Sequence, residues 1–188
     1  MTAPWLLVCA LCFSSGCTAL VDGATDGAAG GGNTIQSADM QCGETSRPWV
    51  SACPEVCTGG CEAGVCTIAC SGKDACKDAR VTCPDGLDCL VSCEGEKSCE
   101  KTDVECARHV GCEVRCLGDG ACLRATLFAQ ATGTMHLVCA DEHDACKDAE
   151  VRCDTNACTA ICHGPSQPKL VCGESCLCEP CLEPSEDD

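Results

Sequence analysis

Any chemistry in this sequence must rest on cysteine, which occurs 27 times in 188 residues. A thiolate can attack carbon, hold a soft metal, or be oxidised to a disulfide. Spacing decides among these. Cys66, Cys89 and Cys112 recur every 23 residues, as do Cys70, Cys93, Cys116, Cys139 and Cys162, and Cys76, Cys99 and Cys122. A fixed period of this length marks a solenoid or an array. Zinc sites favour short Cys-x2–4-Cys pairs facing a second pair. Beyond residue 41 the one Cys-x2-Cys is Cys178/Cys181, with Cys176 and Cys172 nearby, and this terminal cluster is the best metal candidate. A stapled terminal cap explains the same residues more simply. A nucleophilic cysteine needs a free thiolate, and half-cystines offer none. No Gly-x-Ser-x-Gly, His-Glu-x-x-His or glycine-rich phosphate loop is present, and His109, His136, His143 and His163 show no ligand spacing. The residues imply no catalysis and no cofactor.

The elements that carry these cysteines alternate with period two. In Cys89-Leu90-Val91-Ser92-Cys93 both cysteines share a face with Val91; Ala79, Val81 and Cys83 do the same. Strict alternation over about five residues reads as a half-buried strand. Inward positions then recur as Ile68, Val91, Val114, Leu137 and Ala160 in one strand, and as Val81, Val104, Leu127 and Val151 in the other. Gly, Asp and Ser punctuate the connections, as at Gly72, Gly86, Gly95, Gly118 and Gly120. The fold class expected is all-β: a small, disulfide-stapled parallel β-solenoid of about five 23-residue coils. A string of independent knots is the competing architecture. So short a unit cannot bury a core alone, which disfavours it.

The imperfect copy suggests the pairing. Where the period requires cysteines after Cys106 and Cys112, the chain has Ala129 and Met135, and the register continues at Cys139. Two positions lost together are most simply bonded to each other. That predicts Cys83–Cys89, Cys106–Cys112, Cys153–Cys158 and Cys61–Cys66 in one class. The other class becomes Cys70–Cys76, Cys93–Cys99, Cys116–Cys122 and Cys139–Cys146, with Cys162–Cys172 at the end. Pairing between neighbouring coils is the rival. Cys42, Cys53, Cys57, Cys176, Cys178 and Cys181 lie outside the repeat and stay unassigned. They are expected to staple the two ends, where a solenoid needs capping.

Residues 1–16 read as a signal peptide with the short apolar core Trp5 to Phe13, too short to span a bilayer. Ser14-Ser15-Gly16-Cys17 resembles a bacterial lipobox, which implies lipidation of Cys17 and a membrane anchor. An ordinary cleaved signal is the alternative. Residues 17–41 have the Gly- and Ala-rich composition of a tether. Residues 42–60 are expected to cap the array, 61–172 to form the repeats, and 173–188 to close them with an acidic tail. Thr18 stands where lipoproteins kept at the inner membrane often have Asp, so the resemblance implies the outer membrane or cell surface. A secreted soluble protein is the alternative.

The net charge of −17 repels phosphate backbones and argues against nucleic acid as a partner. The recurring carboxylates read as a solvated face, since no EF-hand or RTX-type calcium motif exists. Phe128 opposes the inward alternation, which suits either an exposed contact point or turn packing.

The unit from Cys89 to Cys106, and the near-identical segments Asp74 to Cys83 and Asp144 to Cys153, resemble repeats of exported bacterial cysteine-rich lipoproteins. The resemblance covers roughly residues 61 to 172. It implies an architecture and transfers no catalytic residue. The function expected is a membrane-anchored structural or binding module of the cell envelope with an unidentified protein or glycan partner. A thiol-rich metal-binding or redox protein is the alternative, and the oxidation state of the cysteines separates them.

Overall fold

The structure, a computed structural model, describes residues 52–108, 110–130, 133–155 and 157–182. The expected signal peptide with Cys17, the tether, and Cys42 lie outside the described residues. Every regular element is a β-strand: β1 (Gly60–Glu62), β2 (Val65–Ser71), β3 (Arg80–Thr82), β4 (Asp88–Glu94), β5 (Asp103–Glu105), β6 (Cys112–Leu117), β7 (Thr126–Phe128), β8 (Thr134–Cys139), β9 (Glu150–Arg152), β10 (Ala157–Cys162), β11 (Lys169–Val171) and β12 (Leu177–Leu182). They form a seven-stranded sheet A, ordered β1-β2-β4-β6-β8-β10-β12, and a five-stranded sheet B, ordered β11-β9-β7-β5-β3. All pairings are parallel except the β1–β2 hairpin. The chain is the expected β-solenoid: each coil contributes one longer strand to sheet A and one three-residue strand to sheet B.

Register turns the sequence period into ladders. Ile68, Val91, Val114, Leu137 and Ala160 stack between the sheets, facing the ladder Val81, Val104, Leu127, Val151 and Leu170. All but Leu170 are buried. Each such Val or Leu contributes about 1.5–3 kcal/mol of transfer free energy. Leu127, Met135 and Leu137 are the largest fully buried side chains, so this core contains no ring. Half-cystines supply the rest. Cys66, Cys89, Cys112, Met135, Cys158 and Cys178 form one inward ladder of sheet A. Cys70, Cys93, Cys116, Cys139 and Cys162 form the other.

The turn from sheet A to sheet B is unusual. Asp74, Cys76 and Asp78 all have positive φ, and so do Lys97, Cys99 and Lys101 one coil later. Cys122, Arg124, Cys146 and Asp148 repeat the pattern. Non-glycine residues resist this conformation at a cost of order 1–3 kcal/mol each. Two restraints hold it. Amides alternate between bonds inside the turn, such as Ala75 N–H to Gly72 O, and bonds to a neighbouring coil, such as Asp74 N–H to Glu96 O of the next coil and Cys99 N–H to Ala75 O of the preceding one. In addition, the middle residue of each trio is a half-cystine tied to the strand before it.

The ends depart from the period. Ala63 and Gly64 both have positive φ, the requirement of a two-residue hairpin turn, and β1 folds back on β2 to cap sheet A. At the far end the last coil is shortened: Val151 pairs with Leu170 rather than with a residue a full period away. Between them the fourth coil carries one extra residue in the Cys139–Cys146 loop and one fewer in the Cys153–Cys158 loop. The two cancel, so β10 regains the sheet A register against β8.

Candidate functional site

The cysteines are oxidised throughout the described residues. Along the repeat the bonds are Cys70–Cys76, Cys83–Cys89, Cys93–Cys99, Cys106–Cys112, Cys116–Cys122, Cys139–Cys146 and Cys153–Cys158. Each lies within one coil, as the paired loss at Ala129 and Met135 suggested. Met135 is fully buried in the gap, with Sδ 3.4 Å from Cys106 Sγ. A thioether there replaces the missing bond by packing.

Two pairings differ from the sequence reading, both at ends. Cys61 and Cys66 face each other across the β1–β2 hairpin but are not bonded to each other. Residues 53–57 fold over the end of the core instead, giving Cys53–Cys61 and Cys57–Cys66. The position one period before Cys83 is Gly60, so Cys57 takes that role. Cys162 pairs with Cys181, not Cys172. Cys162 belongs to the turn ladder, but its shortened coil has no cysteine where that ladder expects one, and β12 supplies it. Cys172 pairs with Cys178, over the same six-residue separation as Cys83–Cys89. Cys176 is also a half-cystine.

This state removes the thiolates that a soft metal would need. The sulfurs of Cys53, Cys57 and Cys61 lie within 4.8 Å of one another, but each belongs to a disulfide. The proposed terminal metal cluster is likewise dispersed: Cys172, Cys178 and Cys181 are all in bonds. So dense a set of disulfides fits an oxidising, extracytoplasmic environment.

The outer faces carry the charged and polar groups that remain. Most cations are spent on carboxylates, often one coil away: Lys73 Nζ sits 2.9 Å from Glu96, Lys77 Nζ 2.7 Å from Glu100, and Lys169 Nζ 3.0 Å from Glu150. Glu100 is buried in the turn ladder with only 8% of its surface exposed. The Lys77 hydrogen bond holds its carboxyl below the usual range, and the Glu100 and Asp74 carboxylates raise Lys77. Asp144 is lowered by Lys147, and Glu150 by Arg152 and Lys169. These pairs, all but that of Glu100 at least partly exposed, fix charge in columns along the stack. Each contributes little to stability.

Lys97 and Arg108 are the exceptions among the described cations, with no carboxylate within 4.0 Å. Arg108 lies at a shallow depression of about 530 Å³ on the sheet B side, with Glu105, Phe128, Gln130, Arg152 and Asp154. Its Nε–H donates to Gln130 Oε1 at 3.3 Å, and the Arg152 guanidinium lies 5.4 Å from the centroid of the Phe128 ring. A stacked guanidinium–ring pair beside planar polar groups can present a flat surface to a ligand. Phe128 is therefore half-buried and outward, between the two expectations for it. Outward parity pointed to Phe128; the sequence held no signal for Arg108, which reaches it from the preceding coil, or for Gln130, two residues further along the chain. His136 and His163 are not brought to a common site, and His143 sits 3.4 Å from Asp144. His109 lies outside the described residues.

A second depression, about 330 Å³, crosses sheet A at the starts of its strands. Val65, Asp88, Leu90, Gly111, Glu113 and His136 line it. The Gly111 amide donates to Asp88 Oδ1 at 2.8 Å, and Gly111 keeps the floor free of a side chain.

Comparison with protein-family models, with curated proteins and with solved structures finds no match.

Proposed function

We infer that this chain is a non-catalytic module of the cell envelope. It is exported, anchored through lipidated Cys17, and engages a protein or glycan partner along its coils. The observation that carries this reading is the full oxidation of the described cysteines. It favours a scaffold made outside the cytoplasm over the alternative of a thiolate metal store or redox carrier. The lipobox-like Ser14-Ser15-Gly16-Cys17 and the Gly- and Ala-rich stretch after it support the anchor. The depression around Phe128 and Arg108 is the part of sheet B best furnished for a partner.

Intact mass of the exported protein tests this, alkylated first without reduction and then after it. The expected result is no label before reduction, full label after it, and a diacylglyceryl or triacyl mass on Cys17. Labelling before reduction would favour the metal-binding alternative. A mature chain starting elsewhere without lipid would remove the anchor.

A further inference from the structure

At the first-coil end two disulfides meet at the surface. Cys53 and Cys61 are exposed and bonded to each other, while Cys57, 6% exposed, is bonded to the fully buried Cys66. The sulfurs of Cys53, Cys57 and Cys61 lie within 4.8 Å of one another. One bond is therefore open to solvent, and a sulfur of the second bond stands beside both of its ends. The interior shows the opposite case. Cys83 Sγ comes 4.0 Å from Cys112 Sγ of another bond, but both residues are buried, out of reach of a solvent thiol. We propose that the Cys53–Cys61 bond is a thiol-exchange site. A small thiol without negative charge opens it, and the opened site trades partners with Cys57–Cys66 to give Cys53–Cys57 and Cys61–Cys66.

The exchange conserves bonds and electrons. A thiolate attacks a disulfide sulfur and passes through a mixed disulfide. The small thiolate attacks Cys61 Sγ, bonds to it, and releases Cys53 as a thiolate. Cys53 then attacks Cys57 Sγ, within 4.8 Å, and Cys66 leaves with the electron pair. Cys66 attacks Cys61 in turn, which closes Cys61–Cys66 and expels the small thiolate. Nothing is oxidised or reduced overall, and the thiol is not consumed. The hairpin is built for the last step, because Cys61 and Cys66 are directly opposite in β1 and β2. Opposed residues of an antiparallel pair share a face, with Cα atoms about 4.5–5.5 Å apart, inside the range of about 4.4–6.8 Å that a disulfide spans.

Charge selects the thiol. Glu62 follows Cys61, Glu55 is two residues from Cys53, both are exposed, and the chain carries a net charge of −17. At low salt this field repels an anionic thiol and draws in a cationic one. The exchange also changes the cap. As they stand, the two bonds tie residues 53–57 to both strands of the hairpin. After exchange the hairpin is bonded to itself and residues 53–57 to themselves, so no disulfide holds this segment over the core end.

The inference goes beyond the envelope module read above and rests on its oxidised state alone, not on the lipid anchor. The test is incubation of the exported protein with cysteamine at mildly alkaline pH, then acid quenching, alkylation and digestion without reduction. Cleavage after Glu55 and Glu62 separates Cys53, Cys57 with Cys61, and Cys66, and fragmentation between Cys57 and Cys61 tells the two pairings apart. Cysteamine is expected on Cys61 first, with the bonds from Cys70–Cys76 to Cys153–Cys158 intact. Cys61–Cys66 should follow, with the β circular-dichroism signal unchanged. A first adduct on any bond other than Cys53–Cys61, or a Cys61 adduct that only reverts to Cys53–Cys61, would overturn the exchange. Glutathione reacting as fast per thiolate at low salt would overturn the charge selection. Cys53→Ser with Cys61→Ser should slow adduct formation by an order of magnitude or more, and an unchanged rate would count against the site; if that pair does not fold, the peptide map of the parent chain decides. Alkylation of Cys53 or Cys61 before any thiol is added would overturn the oxidised reading and this inference together. A chain unlabelled beforehand that shows no exchange overturns this inference alone.

Discussion

Two corners of each coil carry disulfides, and they use them differently. At the turn from sheet A to sheet B, the bond ties a strand to a half-cystine held at positive φ, in every coil from Cys70–Cys76 to Cys139–Cys146. At the return corner the bond joins two buried positions, and one coil does without it, with Ala129 and Met135 in its place. A corner whose bond only fills space can exchange it for a thioether of suitable volume. A corner whose bond also restrains a strained backbone has no such substitute among apolar side chains.

Reducing the whole set breaks the contrast outright. A loop of about seven residues closed by one disulfide contributes roughly 2 kcal/mol in the chain-entropy model, so loss of all of them exceeds the 5–15 kcal/mol stability of an ordinary domain. Reduction should abolish the β circular-dichroism signal in step with thiol release. A reduced chain that stays folded would show that the stacked Val and Leu ladders suffice.

Met135→Ala comes next. It removes a fully buried side chain from a corner with no covalent bond, at an expected cost of about 2–5 kcal/mol. Denaturant midpoints would read it.

Grafting sharpens the comparison. Cys106→Ala with Cys112→Met copies the natural gap and should cost no more than about 2 kcal/mol. Cys93→Ala with Cys99→Met makes the same exchange at the strained turn and should cost more, since it also frees a backbone strained by about 1–3 kcal/mol. Equal losses would mean that the turn holds its conformation without the bond. In the opposite direction, Ala129→Cys with Met135→Cys should close a new disulfide, lose two hydrogens in mass, and gain up to about 2 kcal/mol.

The smallest effect is electrostatic. Glu100 is held below its ordinary range by Lys77, so the folded state binds its proton less readily than the unfolded chain does. The pair's contribution is present above the ordinary carboxylate pKa of about 4 and fades as pH falls through the lower folded value. Lys77→Met should therefore lower stability slightly at neutral pH and flatten the acid limb, its difference from the parent chain shrinking as pH falls through the lower folded value. A difference between variant and parent that stays constant from neutral to acid pH would assign the ladder's acid sensitivity elsewhere.

The interior was legible because spacing repeats: parity alone placed Val91, Val114 and Leu137 inward, and the shared loss at 129 and 135 paired seven bonds. The ends were not legible, because they are where the period stops. Cys57 acts in place of Gly60 only because residues 53–57 fold over the core end, and Cys181 reaches Cys162 only because the last coil is short. Nor did the sequence announce the positive-φ trios. Asp74, Cys76 and Asp78 are not glycines, and their conformation is set by a bond and by amides of the next coil. The outer depressions join residues from different coils, which a periodic reading keeps in separate columns.

From Cys70 to Cys158 every disulfide closes within a coil and none joins one coil to the next. Under a pulling force this makes the repeat a chain of short-reach brakes. Coils can peel from the stack one at a time, since only hydrogen bonds and packing hold them together. Each peeled coil pays out roughly 50 Å instead of the roughly 80 Å of an uncrosslinked segment, at about 3.4 Å per residue. The coil containing Met135 has one closure fewer and runs out further than its neighbours.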